Sequence, residues 1–427
     1  MPESVSPATN SRPPLMPLDK AVASLLAKAV PALGTESVLT FEADGRVLAQ
    51  DVVSALTVPP RDNSSMDGYV VRAADCVGAD ADAEAVLQVT QRIPAGTVGS
   101  ALAAGTAARI FTGAQIPEGA DAVVMQEDTS TVPPDGGLGR LGSVRITVAP
   151  TAGQWIRRAG EDVAAGDIVL ARGERLPPAA LGLAASVGFD RLTVSRRPRV
   201  ALLSTGDELV MPGDVAPEAM KPGSIYNSNR FFMRALLHRL GCEVNDLGIV
   251  PDRRDATIDA LRTAAASNDL IITTGGVSVG EEDHIKAAIQ ALGELQLWSL
   301  SMKPGKPFAY GNIQGTHITG LPGNPVSSFM TFLLLVRPFI LTLQGASRVA
   351  VEPVAMRADF DWPRPDRRRE FLRARRNAAG GLDLFANQSS GVLTSAVWGD
   401  GVVDTPADQP IKQGDTVQFI PFASLIA

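Results

Sequence analysis

The stretch Ile271-Ile-Thr-Thr-Gly-Gly-Val-Ser-Val-Gly-Glu-Glu-Asp-His-Ile-Lys286 sets a strand pattern, a glycine and hydroxyl loop, an acidic cluster and a helical pattern in direct succession. Gly275, Gly276, Ser278 and Gly280 let backbone N–H groups approach an anion closely, because glycine has no Cβ to block it. The following helix adds its positive end. Asp283 stands beside that loop, where a carboxylate repels an anion unless a cation bridges the two. The reading is a phosphorylated ligand with a divalent metal; an ordinary strand–turn–helix connection is the plain alternative.

Four more segments carry chemistry. Ser204-Thr-Gly-Asp-Glu-Leu209 ends a strand with Asp207 and Glu208, which suit a metal or acid/base pair, or an acidic first turn of a helix. Met302-Lys-Pro-Gly-Lys-Pro307 holds Lys303 and Lys306 on a stiff turn, fit for an oxyanion. Leu321-Pro-Gly-Asn-Pro-Val-Ser-Ser328 offers Asn324, Ser327 and Ser328 at a helix start, for capping, anion binding or both. Asp62-Asn-Ser-Ser-Met-Asp-Gly-Tyr69 packs polar groups into one turn. Arg158–Asp162 and Phe111–Pro117 each read as plain turns when taken alone. Arg364 to Arg376 carries seven arginines. Most suit a solvated strand face, but Arg368 and Arg373 bracket Phe371 and suit oxyanions.

The elements that must position these groups change in texture along the chain. A helix is expected over Leu18–Val30 and short strands over Ser37–Thr57. From Arg61 to Pro150 short apolar alternations, such as Val86–Val89 and Ala122–Met125, predict an all-β module, with a turn at Pro133–Gly137; Ile168–Leu170 returns to strand. From Arg199 strands at 200–203, 243–250, 270–274 and 318–321 alternate with helices over Asn227–Gly241, Asp252–Asn268 and Asp283–Leu292. That order predicts a mostly parallel sheet covered on both faces, with ligands off the carboxyl ends of its strands. After Gln344 short strands return and end in Val417–Pro421.

Composition narrows the classes. A chain of 427 residues exceeds one compact core. A net charge of −7 disfavours nucleic acid. Cys76 and Cys242 have no metal or disulfide spacing and read as small buried hydrophobes. Three histidines form no metal cluster, and only His284 lies near the proposed site. Met1–Pro14 lacks a signal-type core, and the apolar segment Phe329–Leu343 is interrupted by Arg337 and Pro338, so no membrane span and a cytoplasmic setting are expected.

Six motifs, in order, resemble the molybdopterin molybdenumtransferase family (MoeA and the gephyrin E domain). They are Ser64–Tyr69, Gly160–Asp162, Ser204–Leu209, Thr273–Gly280, Lys303–Pro307 and Leu321–Pro325. Ser65 and Val70 stand where that family usually has Ala. The resemblance implies a multidomain α/β plus β fold: a disordered tail at 1–14, an elongated domain at 15–56 and 150–178, an inserted β module at 57–149, a three-layer α/β (MogA-like) domain at 179–343 and a barrel-like β domain at 344–427. It implies a homodimer with a composite cleft, and conversion of adenylylated molybdopterin and molybdate, with magnesium or zinc, to molybdenum cofactor and AMP. The molybdopterin adenylyltransferase is a further expected partner. Catalytic roles fall on Asp67, Thr112, Asp162, Glu208, Asp283, Lys303 and Lys306, and metal binding on Asp207, Glu208 and Asp283. Cofactor contacts fall on Thr274, Gly275, Gly276, Ser278, Gly280, Pro304, Gly323, Asn324, Ser327, Arg368, Arg373 and Ser395. A tungstate-specific paralogue, a non-catalytic scaffold and a CinA-like hydrolase are the rival readings.

Overall fold

The computed structural model describes residues 15–30, 33–78, 84–134, 141–276 and 284–426. The expected tail at 1–14, positions 135–137 of the predicted turn, and Ser278, Gly280 and Asp283 lie outside the described residues. The chain divides into two compact units. One holds the described residues through Gln50, Arg172–Pro177 and those from Leu192 on; the other holds Asp51–Ala171 and Pro178–Arg191.

The larger unit is organised on a six-stranded sheet of β1 (Arg199–Thr205), β2 (Glu243–Val250), β3 (Leu270–Thr274), β4 (Glu294–Ser299), β5 (Pro307–Ile313) and β6 (Thr316–Leu321). Their order is β2-β1-β3-β6-β5-β4. The first four neighbours are parallel, and β5 and β4 close one edge antiparallel. Alternate residues bury on opposite faces, as a pleated strand requires. Val200, Leu202 and Ile272 enter one core with Met233, Phe332 and Phe339. Ala201, Leu203 and Ile271 enter the other with Leu261, Ile285 and Ile318. The helices are α1 (Ser228–Arg239), α2 (Arg254–Ala265), α3 (His284–Leu292) and α4 (Pro325–Leu343). Asn227 caps α1 by accepting from the Arg230 N–H at 3.2 Å. The alternation expected from the sequence is present; β4 and β5, flanking the lysine turn, were not foreseen.

α4 is the one helix among the described residues long and apolar enough to cross a membrane, and 83% of that window is buried inside the fold. Arg337, expected to interrupt it, lies within it. The guanidinium donates to Val349 O at 2.9 Å and Ser424 O at 3.5 Å. Burial pulls its pKa down to about 10.

The C-terminal strands run in the order Met302–Lys303, Arg369–Arg376, Gly401–Thr405, Thr416–Pro421, Val354–Arg357, with Leu382–Leu384 beside Arg369–Arg376. No ladder joins the two ends of this path among the described residues, so an open sheet stands where a barrel-like domain was expected.

The smaller unit holds a second six-stranded sheet, ordered Ala122–Met125, Gly68–Val71, Thr106–Ile110, Ala85–Ile93, Ser143–Ile146, Thr129–Val132. Both cysteines are free and buried, and burial pushes the thiols up to about 11 for Cys76 and about 12 for Cys242.

His317 lies near the amino-terminal end of β6, where its Nδ1 meets the hydroxyl of Tyr310 from the neighbouring β5 at 2.9 Å. Burial lowers the His317 pKa from its ordinary 6.5. Below that value the unfolded chain takes up a proton that the folded chain resists, so stability falls as pH falls. Urea unfolding of His317→Gln should lose less stability between pH 7.5 and 5.5 than the wild type does; equal losses would remove this histidine from the pH dependence.

Candidate active site

A cavity of about 740 Å³ opens at the carboxyl ends of the parallel strands. Thr205, Gly206 and Glu208 reach it after β1, Asp252 after β2, Thr274–Gly276 after β3 and Pro322–Asn324 after β6. Ser228 and Asn229 bring the start of α1 to its wall, His284 that of α3, and Pro325 and Ser327 that of α4. Three helix N-termini therefore face one space, and each contributes partial positive charge.

The glycines here meet steric limits. Gly275 has φ +92°, and a Cβ on it would lie 2.9 Å from Thr205 O. Gly276 has φ +66°, and its Cβ would lie 2.8 Å from the Ile285 side chain. The Gly275 N–H is spent on Leu321 O at 3.1 Å, so it serves the loop rather than a ligand. At Gly206 (φ +142°) the Glu208 carboxylate folds back over the bare α-carbon, where a Cβ would meet Oε2 at 2.5 Å. Glu208 lines the cavity and Asp207 does not.

Asn324 is exposed and its side chain makes no capping bond, which removes capping as its explanation. Ser327 is buried and lines the cavity. Three residues that the sequence reading passed over join them: Asn227 as more than a cap, Asn229 and Asp252. Asn229 Nδ2 donates to Gly323 O at 2.8 Å. Asn227 Nδ2 and Asn229 Oδ1 are buried without partners among the described residues. A second asparagine two positions after a capping one was the available signal.

The lysine turn does not line this cavity, apart from the adjoining Pro307. Lys303 Nζ lies 3.1 Å from Glu370 Oε1 and 3.4 Å from Asp366 Oδ2. Arg368 grips Asp366 with Nε and Nη2 at 2.8 and 2.9 Å, which holds that carboxyl well below the usual range. Lys306 is exposed with no ion-pair partner among the described residues. Pro304 is buried. Arg373 is 1% exposed; it donates to Ser395 Oγ at 3.0 Å, Phe371 O at 3.2 Å and Ser389 O at 3.2 Å. Burial pulls its pKa down to about 10. Ser395 is itself fully buried and donates to Val392 O at 2.7 Å. The pair braces the loop at 389–392, whose Ser390 O accepts from Val326 N at 3.0 Å and whose Gly391 reaches the cavity.

In the smaller unit three turns converge that looked unrelated in sequence. Ser64 accepts from Gly113 and donates to Ala114 O through its backbone, and pairs with Ile156. Asp67 Oδ1 accepts from Thr112 N at 2.8 Å and Thr112 Oγ1 at 2.7 Å, and these bonds lower its pKa. Asp62 accepts from Ala159 N at 2.8 Å and Arg158 Nη1 at 2.7 Å. Asp162 is exposed on the third turn, its N–H given to Val58 O at 3.0 Å.

Comparison with known proteins adds three family matches: the MoeA N-terminal region (domain I and II) over residues 16–188, the probable molybdopterin binding domain over 201–342, and the MoeA C-terminal region (domain IV) over 355–422. The chain is 42% identical to a molybdopterin molybdenumtransferase of Haemophilus influenzae over 78% of each chain. It is 38% identical to molybdopterin molybdenumtransferase 2 of Mycobacterium tuberculosis over 86% of this chain and 90% of that one. The crystal structure of a molybdopterin biosynthesis moeA protein from Pyrococcus horikoshii OT3 superposes with a TM-score of 0.80 at 28% identity, covering 95% of this chain and 99% of that one.

Gly276→Ala should cost about 1–2 kcal/mol for the left-handed backbone alone, more if Ile285 cannot shift. Gly323→Ala should be neutral, since nothing lies within 4 Å of a Cβ there. Urea midpoints of the two variants check the contrast; equal midpoints would refute it.

Proposed function

We propose a division of labour among these residues from one premise: the chain belongs to the MoeA family of molybdopterin molybdenumtransferases. It is an enzyme of molybdenum cofactor biosynthesis and transfers molybdate to adenylylated molybdopterin. The cavity beyond β1, β3 and β6 takes the molybdopterin substrate. The observation that carries this placement is the pair of unmet buried groups, Asn227 Nδ2 and Asn229 Oδ1, among three helix N-termini. Helix ends and a free amide donor suit phosphate oxygens, and a free acceptor suits the N–H edge of a pterin. Thr274, Gly276, Gly323, Asn324 and Ser327 complete that wall.

The metal reading rests on oxygen donors. Among the described residues Glu208 and Asp252 are the carboxylates lining the cavity, and Asp283 immediately precedes the cavity residue His284 in the sequence. Among the described residues no three candidate ligands cluster. That set fits magnesium, which binds through one or two carboxylates plus substrate phosphates rather than an all-protein cage. Zinc would call on His284. A metal held by these carboxylates would supply positive charge to offset that of the departing AMP.

Lys306, free of ion pairs among the described residues, supplies a cation for the tetrahedral molybdate dianion. Lys303 and Arg368 add two more, kept oriented by Asp366 and Glu370. Arg373 and Ser395 act by holding the 389–392 loop in place. Asp67, Thr112 and Asp162 form a second functional corner, and a homodimer in which this corner of one copy serves the cavity of its partner is the assembly we propose. A cytoplasmic location and supply of substrate by the molybdopterin adenylyltransferase complete the reading.

With magnesium and adenylylated molybdopterin, AMP release should depend on molybdate, and Glu208→Gln should slow it by roughly 100-fold, the low end for loss of a positioned catalytic group. Release that ignores molybdate would overturn the assignment. Inactive Asp67→Ala and Glu208→Ala chains, mixed into verified heterodimers, should recover partial activity; no recovery would count against the shared site.

A further inference from the structure

The amino-terminal edge of the parallel sheet, opposite the substrate cavity, carries a second recess of about 500 Å³. Strand register builds its floor. Glu294, Asn312 and His317 are paired in turn across β4, β5 and β6, and Gln296 pairs with Tyr310 on the next rung of that face. Paired residues share a face, as do alternate residues of one strand, so these five side chains stand on one side of the sheet. Lys28, just past the helix Leu18–Leu26, reaches over them with its ammonium 5.2 Å from the centre of the Tyr310 ring. Gln314 adds an amide from the turn between β5 and β6, at φ +51°, a setting uncommon for a residue with a side chain.

These groups are not spent on one another. Lys28 and Glu294 line the same recess, yet neither has an opposite charge within ion-pair distance among the described residues. The amides of Gln296 and Gln314 likewise make no hydrogen bond among the described residues. Asn312 Oδ1 accepts from Gly315 N at 2.8 Å, which leaves Nδ2 to donate elsewhere. Burial, and after it the charge of Glu294, push the Tyr310 phenol up to about 12, so it keeps its proton and donates to His317 Nδ1 at 2.9 Å. A neutral imidazole that accepts at Nδ1 carries its own proton on Nε2. An antiparallel edge can simply show polar residues to water. Here, however, Tyr310 is 5% exposed and a lysine is laid across its ring, so the polar groups line a hollow and not an open face.

One ligand chemistry meets every group. The Lys28 ammonium, His317 Nε2–H and Asn312 Nδ2 are donors suited to a carboxylate. The Glu294 carboxylate suits an ammonium. Opposite charges that face one recess without pairing fit a molecule that carries both. A dianion would be repelled by Glu294, and a simple amine by Lys28. We infer that this recess binds a small zwitterion of the α-amino acid class, held by Lys28 and His317 at its carboxylate and by Glu294 at its ammonium. The inference stands apart from the transferase reading, because none of these residues has a part in the proposed transfer chemistry.

The sequence has three histidines, so a chain labelled with ¹³C-histidine gives a simple spectrum in which His317→Gln identifies the His317 signal. The full chain is titrated with each standard α-amino acid at millimolar concentrations, and with acetate and methylamine as the two half-ligands. At least one amino acid should move the His317 signal to saturation, and should bind roughly tenfold more tightly than acetate or methylamine, the worth of one charge-assisted hydrogen bond. Lys28→Gln and Glu294→Gln should each weaken it by a similar factor. Glu294 is exposed and Lys28 half-buried, so both variants should fold, and both should release AMP at the wild-type rate. No saturable shift with any amino acid would overturn the site. So would acetate binding as tightly as the best amino acid, or affinity within twofold of wild type in both variants.

Discussion

Four neighbouring strands that point the same way force the chain to leave every one of them along a single edge. There it must turn back toward a helix, within a few residues after β2 and β6 and through a longer excursion after β1. Only glycine accepts the backbone at Gly206, Gly275 and Gly276, and Thr205 and Ile285 would obstruct any larger residue at the latter two. The site follows from that constraint. Turns this tight bring the starts of three helices to one space, and the carboxylates after β1 and β2 come with them.

The electrostatics follow the same logic. A chain with net charge −7 must hold an anionic substrate. On the proposed reading it does so with fixed backbone dipoles at the cavity and with cations whose geometry is set beforehand. Glu370 is 1% exposed; its Oε2 accepts from Trp362 Nε1 and Asp366 N at 2.8 Å each, leaving Oε1 toward Lys303. A buried carboxylate fastened in this way tolerates its burial because a cation and two donors face it. Lys303 and Arg368 thereby lose side-chain freedom during folding rather than during binding.

The α/β framework was legible because its signals are local. β3 is an unbroken β-branched and aliphatic run, α1 begins at a true cap, and glycine marks the end of the same helix at Gly241. The glycine and acidic segments were legible for the same reason. Groups defined by long-range neighbours were not. Asp67 and Thr112 are 45 positions apart, and their bond is visible only once the sheet has formed. Arg373 could have been placed by parity: it stands two residues from Phe371, and alternate strand residues share a face, so a buried Phe371 draws it inward. Arg368 lies on the other parity, before the strand begins at Arg369. β4 and β5 escaped notice because an antiparallel edge pair breaks the strand–helix alternation that revealed the rest.

The two cysteines carry a consequence for handling and for life in air. Both thiols are buried, and both stay protonated far above neutral pH. Peroxides and disulfides react with exposed thiolates, so neither sulfur offers them a foothold. With no other cysteine in the sequence, the thiols of the folded chain are shielded from the oxidant level around it, and covalent linkage between copies through disulfides is closed off while the fold is intact.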